Sequence, residues 1–276
     1  MRTPSRTADL PTLFGALNNT ANIIMQLSMP GVGYGVQESR VDSGNAFVHP
    51  IKRARTTGAY LAVAIMGTDA DRAVLHREIA QVHARVHSTP QSPVRYSGND
   101  SRLQLWVAAC LYRYFVDQFE LVYGPLTRQQ SEQIYADAAV LGTTLNVRPD
   151  QWPADLDAFE RYWSETVPTL RIDPPVRDHL RSIATLDFLT RPLGMPGRVL
   201  KAVLGRPYLF MTIATLPPEF RELMGFDWTA ADERTFRRVA TVVSAADRLM
   251  PHLARLELWT FLIAVRARTR LGMSVL

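Results

Sequence analysis

At 276 residues the chain is long enough for one substantial core and lies near the size at which single cores stop growing. Thirty-one Lys and Arg against twenty-six Asp and Glu leave a formal charge of +5, but no run of like charges marks a nucleic-acid arm. A lone cysteine, Cys110, excludes both an intramolecular disulfide and a thiolate zinc cluster.

The first thirty residues lack the basic head, clean apolar run and small-residue cleavage site of a signal peptide. The uncharged runs Thr56–Gly67 and Pro207–Pro218 fall short of the roughly 20 apolar residues that a spanning helix needs. The sequence therefore predicts a soluble, cytoplasmic protein, with peripheral membrane contact left open.

Period-two alternation is scarce and helical spacing is common, so the predicted class is all-α. Between Leu13 and Leu27 the apolar residues Phe14, Leu17, Ala21, Ile24 and Met25 share one helical face, which Met29-Pro30-Gly31 ends. The following Gly31-Val32-Gly33-Tyr34-Gly35 is too glycine-rich to predict an ordinary helix. After a turn at Asp42-Ser43-Gly44, a helix is predicted from about Lys52 to Ile65, with Pro50 near its first turn. Gly67-Thr68-Asp69 stops it and caps the next, predicted over Ala70–His87. Ser88-Thr89-Pro90 and Ser92-Pro93 read as a loop and Ser97-Gly98-Asn99-Asp100 as a turn, with Asp100 or Ser101 capping the most apolar helix, Ser101–Val122.

Thr127 and Gln130 form a capping box for a helix reaching Leu141. Asp155, Asp173-Pro174 and Pro217-Pro218 mark three further starts, and a final helical stretch runs from Ala230 to Arg268, broken near Pro251. Neither a repeat nor a domain linker is present. The expectation is one helical domain over residues 12–265, with tails at 1–11 and 266–276.

Chemistry-bearing residues are few. His76, His83 and His87 are spaced to share a helix face, which invites a metal reading, yet the pattern is neither HExxH nor a di-iron bundle motif. Among apolar neighbours Ile79, Val82 and Val86, the His83 imidazole needs either a hydrogen-bond partner or a metal. Arg53 and Thr57, four apart, share a face: they could hold a propionate and an oxygen ligand, or belong to a solvated basic turn with Thr57 bonding back along its helix. Glu38 is either a base or a surface salt-bridge partner. Dinucleotide, P-loop and GxSxG patterns are missing. A cation, a hydroxyl and an imidazole beside apolar helices permit a haem site without requiring one.

Ile24-Met25-Gln26-Leu27, Pro30-Gly31-Val32-Gly33-Tyr34-Gly35-Val36, Arg53 to Thr57 with Gly67-Thr68, Val82-His83-Ala84-Arg85-Val86, Leu105-Trp106-Val107 and Tyr123-Gly124-Pro125-Leu126 follow one another in an order that resembles the family of MpaB-type oxygenases and latex clearing protein, the rubber oxygenase. The resemblance implies an all-helical domain with globin-like packing around a haem b pocket. It implies His83 as the iron ligand, Arg53 and Thr57 as distal groups, Glu38 as base, and Trp106 with Arg53 among the cofactor-binding residues. The expected reaction is haem-dependent oxidation, with dioxygen, of a small apolar substrate such as a lipid or terpenoid. The other open readings are a non-catalytic haem or lipid carrier and a haem-free structural domain. The chain departs from the rubber oxygenases at Arg55-Thr56, where they carry a lysine, at His87-Ser88-Thr89, and at Ser97-Gly98-Asn99-Asp100.

Overall fold

The computed structural model describes residues 3–39, 41 and 47–276. The turn expected at Asp42-Ser43-Gly44 lies outside the described residues. Within them the regular structure is helical, as expected, apart from an antiparallel bridge between His87 and Ser97.

The first helical stretch is two helices, α1 (Leu13–Leu17) and α2 (Thr20–Leu27). Asn18 breaks it because its side chain is used elsewhere: Nδ2 donates to the Met211 carbonyl and to Thr215. The glycine-rich segment that was not expected to be helical forms α3 (Pro30–Gln37), with proline at its N-terminus. Its glycines serve close approach, since a Cβ at Gly33 would lie 2.6 Å from the Leu27 carbonyl oxygen. Then come α4 (Pro50–Met66) and α5 (Asp69–His83), the latter opened by a Thr68–Asp71 capping box. Contrary to the sequence expectation, α5 ends at His83, and Val86 N–H turns back onto the His83 carbonyl at 2.9 Å.

The chain continues through α6 (Ser101–Tyr123), α7 (Arg128–Ala138), α8 (Val140–Thr143), α9 (Leu156–Thr166), α10 (Pro174–Ala184), α11 (Thr190–Leu193), α12 (Met195–Thr215), α13 (Pro218–Met224), α14 (Ala230–Leu249) and α15 (Leu253–Arg270). The predicted caps at Asp100, Thr127 and Asp155 accept from Arg102, Gln130 and Ala158 N–H. Pro251 separates α14 from α15, whereas α12, with Pro207 inside it, was not anticipated.

Helix α6 divides the interior. Leu105, Ala108, Ala109, Leu111, Tyr112 and Phe119 face one apolar core built with α4, α5, α7 and α15. Trp106, Cys110 and Tyr114 face a second core built with α2, α3, α10 and α13. Both terminal segments read as tails pack on this body: Leu10 and Val275 belong to the first core, and Glu78 accepts from the Val275 and Leu276 N–H groups. Among the described residues, no helix is long and apolar enough to cross a membrane.

Candidate functional site

The predicted residues come from four helices: Arg53 and Thr57 from the start of α4, His83 from the end of α5, Glu38 from the C-terminal cap of α3 and Trp106 from α6. On α4, Arg53 Nη1 donates to Thr57 Oγ1 at 2.8 Å, and Thr57 Oγ1 donates to the Arg53 carbonyl at 3.1 Å. The hydroxyl thus bonds back along its own helix while it accepts from the guanidinium; its local role is to fix Arg53. More than a third of the Arg53 surface is open, yet burial holds its guanidinium below the usual arginine range.

His83 shares that setting. It is half-buried, and its imidazole is pushed down to about 4, first by burial and then by the nearby Arg53 charge. At neutral pH it is therefore uncharged, the state in which a ring nitrogen can bind a metal.

Three residues outside the predicted set hold the ring. Gln104 is buried; its Nε2 lies 3.1 Å from His83 Nδ1 and donates to the Gly98 carbonyl at 2.6 Å, while its Oε1 accepts from Asn146 N–H. Because Asn146 N–H is a donor, Oε1 must face it and the amide NH₂ must face Gly98 and His83. Gly98 also closes directly over the histidine backbone. A Cβ there would sit 2.7 Å from the His83 carbonyl oxygen, so the turn tolerates only glycine without moving. The Gly98 carbonyl beside the ring favours its protonated form and offsets part of the burial effect. Because the Gln104 NH₂ can only donate, Nδ1 of the neutral ring accepts from it and Nε2 carries the ring proton. The protonation pattern is inferred from these partners.

The segment 84–100 that delivers Gly98 folds as a hairpin. Gly98 N–H donates to Val86 and Ser88 N–H to Tyr96, at 2.7 and 3.0 Å. Glu38, just past α3, is tied to this hairpin: its Oε2 accepts from Ser92 Oγ at 2.6 Å and from Tyr96 OH at 2.8 Å. Among the described residues it is anchored to structure by two hydroxyls and has no basic salt-bridge partner.

Arg53, Thr57 and His83 are thus brought into one electrostatic neighbourhood, with Glu38 on the hairpin that adjoins it. Trp106 stands apart. It is fully enclosed, stacks on Trp163 with ring centroids 5.0 Å apart, and donates to the Met25 carbonyl at 3.1 Å. A side chain so enclosed braces α6 in the second core, apart from Arg53, Thr57 and His83.

The histidine cluster separates as well. His76 Nδ1 lies 2.6 Å from the Leu145 carbonyl, and His87, beyond the end of α5, is exposed in the hairpin. Among the described residues no three His, Cys, Asp or Glu side chains come together as metal ligands. A haem needs only one protein nitrogen together with apolar walls and a cation for its carboxylates. Neutral, anchored His83 beside desolvated Arg53 fits that donor set.

Comparison with known proteins adds a family. The model described as "ER-bound oxygenase mpaB/B'/Rubber oxygenase, catalytic domain" matches residues 6–245. Two relatives are each 50% identical over 256 residues, which is 92% of this chain and 98% of theirs: uncharacterized protein Mb2261 of Mycobacterium bovis and uncharacterized protein Rv2237 of Mycobacterium tuberculosis. No solved structure matches the chain.

Proposed function

Because the chain belongs to the MpaB and rubber-oxygenase catalytic-domain family, we propose that it is a haem b-dependent oxygenase acting on a small apolar molecule such as a lipid or terpenoid. The observation that carries this reading is His83: neutral, oriented through Nδ1, and placed within the field of Arg53. Haem, when bound, supplies the iron chemistry that activates dioxygen.

The chain's own residues do the rest. His83 would be the iron ligand, and Gln104, itself held by the Gly98 carbonyl, sets the plane of its ring through Nδ1. Arg53 offers a fixed cation to a propionate or to negative charge developing on oxygen, worth more once a bound ligand excludes water than in water. Thr57 holds Arg53 in place. Glu38 accepts a proton at its carboxylate, whose position Ser92 and Tyr96 fix. Apolar residues of α4, α5 and α6 keep water from competing.

The test is the oxidised and reduced absorption spectrum of protein made in haem-supplemented cells, with His83→Ala and His87→Ala alongside. A stoichiometric Soret band, lost in His83→Ala and kept in His87→Ala, is expected, followed by oxygen consumption with apolar substrates. Wild-type protein that neither carries nor takes up haem sinks the reading. Haem binding without any turnover makes the protein a carrier.

A further inference from the structure

The strongest unassigned feature lies on α12, remote in sequence from the haem-site residues. Its first three turns touch the body through two glycines and Lys201, which pairs with Asp187. A Cβ at Gly197 would lie 2.1 Å from the Leu189 carbonyl oxygen and one at Gly205 would lie 2.7 Å from that of Thr185, so the Gly197–Lys201–Gly205 stripe is pressed onto segment 185–190. At 3.6 residues per turn, Met195, Val199 and Val203 then fall on the side away from that stripe, with Leu200 and Leu204 on its flank, and the five span roughly half the helix surface. They are exposed, Met195, Val199 and Val203 by 67, 54 and 64%. An amphipathic helix normally turns such a face inward.

Charge is sorted along the same helix. Between Asp187 and Glu219 the chain has no Asp or Glu, whereas Arg191, Arg198, Lys201 and Arg206 are all present and exposed. Asp187 is paired with Lys201. On the flank next to the apolar arc lies a groove of about 670 Å³ lined by Thr185, Asp187, Thr190, Arg198, Lys201 and Arg206. It holds three cations against one carboxylate. Near the start of α4, Val48 and Ile51 are exposed too, and Phe47 packs on Phe188 with centroids 6.0 Å apart, which draws the approach to Arg53 beside the segment leading into α12.

We propose that the outward face of α12 docks on an anionic lipid bilayer, its apolar arc entering the interface and Arg198 and Arg206 meeting the lipid phosphates. An interfacial helix combines these two features: an apolar face for the acyl boundary and basic residues for the headgroups. A second copy of the chain suits the face less well, because two-fold pairing would set the same arginines against each other. The inference stands whether or not His83 carries haem.

The experiment is co-sedimentation of the full chain with vesicles of phosphatidylcholine containing phosphatidylglycerol, and with phosphatidylcholine alone. Wild-type protein should sediment with the anionic vesicles and be released by salt. Val199→Asp with Val203→Asp, and separately Arg198→Glu with Arg206→Glu, should each weaken binding at least about tenfold without changing the melting curve, since all four sites are exposed. Cys110, the native cysteine, is buried. A polarity-sensitive dye on Val203→Cys should therefore report α12 alone, shifting to the blue on anionic vesicles. Failure of the wild type to sediment, equal binding by the variants, or no dye shift overturns the proposal. So does a wild-type dimer that the Val199/Val203 variant dissociates, because the face is then covered by a second copy.

Discussion

Helices α6 and α12 are close in length, 23 and 21 residues, and both are rich in apolar side chains. Of α6, twelve residues are buried, and nine of them belong to two separate cores. Of α12, only Gly197, Gly205 and Thr212 are buried, and none of its side chains enters either core. Apolar composition thus does not decide burial; the supply of facing elements does. Helix α6 lies between two groups of helices and α12 lies on one. The apolar surface left over on α12 is then available for something other than folding.

Substitutions along the two helices sharpen that contrast, and the largest effect belongs to Trp106. Truncation to alanine would remove a fully buried indole, its stacking on Trp163 and its bond to the Met25 carbonyl. Trp106→Ala should cost about 3–5 kcal/mol of stability in denaturant unfolding. If haem binding in refoldable variant protein survives, the residue is confirmed as a brace.

Next comes Gln104→Leu. The variant would leave Asn146 N–H and the Gly98 carbonyl short of a partner and free the His83 ring to rotate. About 2–3 kcal/mol should be lost, and nitrogen-detected NMR of the His83 ring should show mixed tautomers. A ring that keeps one tautomer would show that Gly98 alone orients it.

Asp117 tests the interior of α6 by pH. Its carboxyl is pushed up to about 7, chiefly by burial, with Arg113 pulling it down and Glu120 and Glu160 raising it. Between about pH 4 and 7 the folded state holds a proton that the unfolded chain releases, so this group's contribution is fully present below about pH 4 and lost as pH rises through 7. Asp117→Asn should therefore be more stable than wild type above pH 7 by about 1–2 kcal/mol, and equal to it near pH 4. A gain that does not depend on pH would place the cause outside titration.

What the sequence disclosed follows from the range of the interactions involved. Capping boxes, proline starts and the Arg53–Thr57 pair are contacts within four residues, and each stands where the spacing put it. His83 was readable from its apolar neighbours. Its support was not, because Asn146 meets Gln104 across 42 positions and Gly98 acts through a backbone carbonyl. The end of α5 was misread because Val86 and His87 continue the helical pattern while pairing in a hairpin with residues 96–98. Helix α12 escaped notice since its glycines, Pro207 and outward apolar arc break every rule that locates a core helix.

The smallest expected effect is the sharpest check on α12. Val203 is 64% exposed in the middle of a helix, so its side chain gains little from burial there while its β-branch restricts rotamers. Replacement by alanine removes that restriction. Val203→Ala should leave stability unchanged or raise it by about 0.3–0.6 kcal/mol, whereas a buried valine truncated in the same way would lose stability. Measured on the free protein and again with anionic vesicles, the sign should reverse: the side chain that folding does not use is the one the lipid interface would hold. A loss of more than about 1 kcal/mol in the absence of vesicles would instead mean that α12 is packed in solution, and that the contrast with α6 is one of degree.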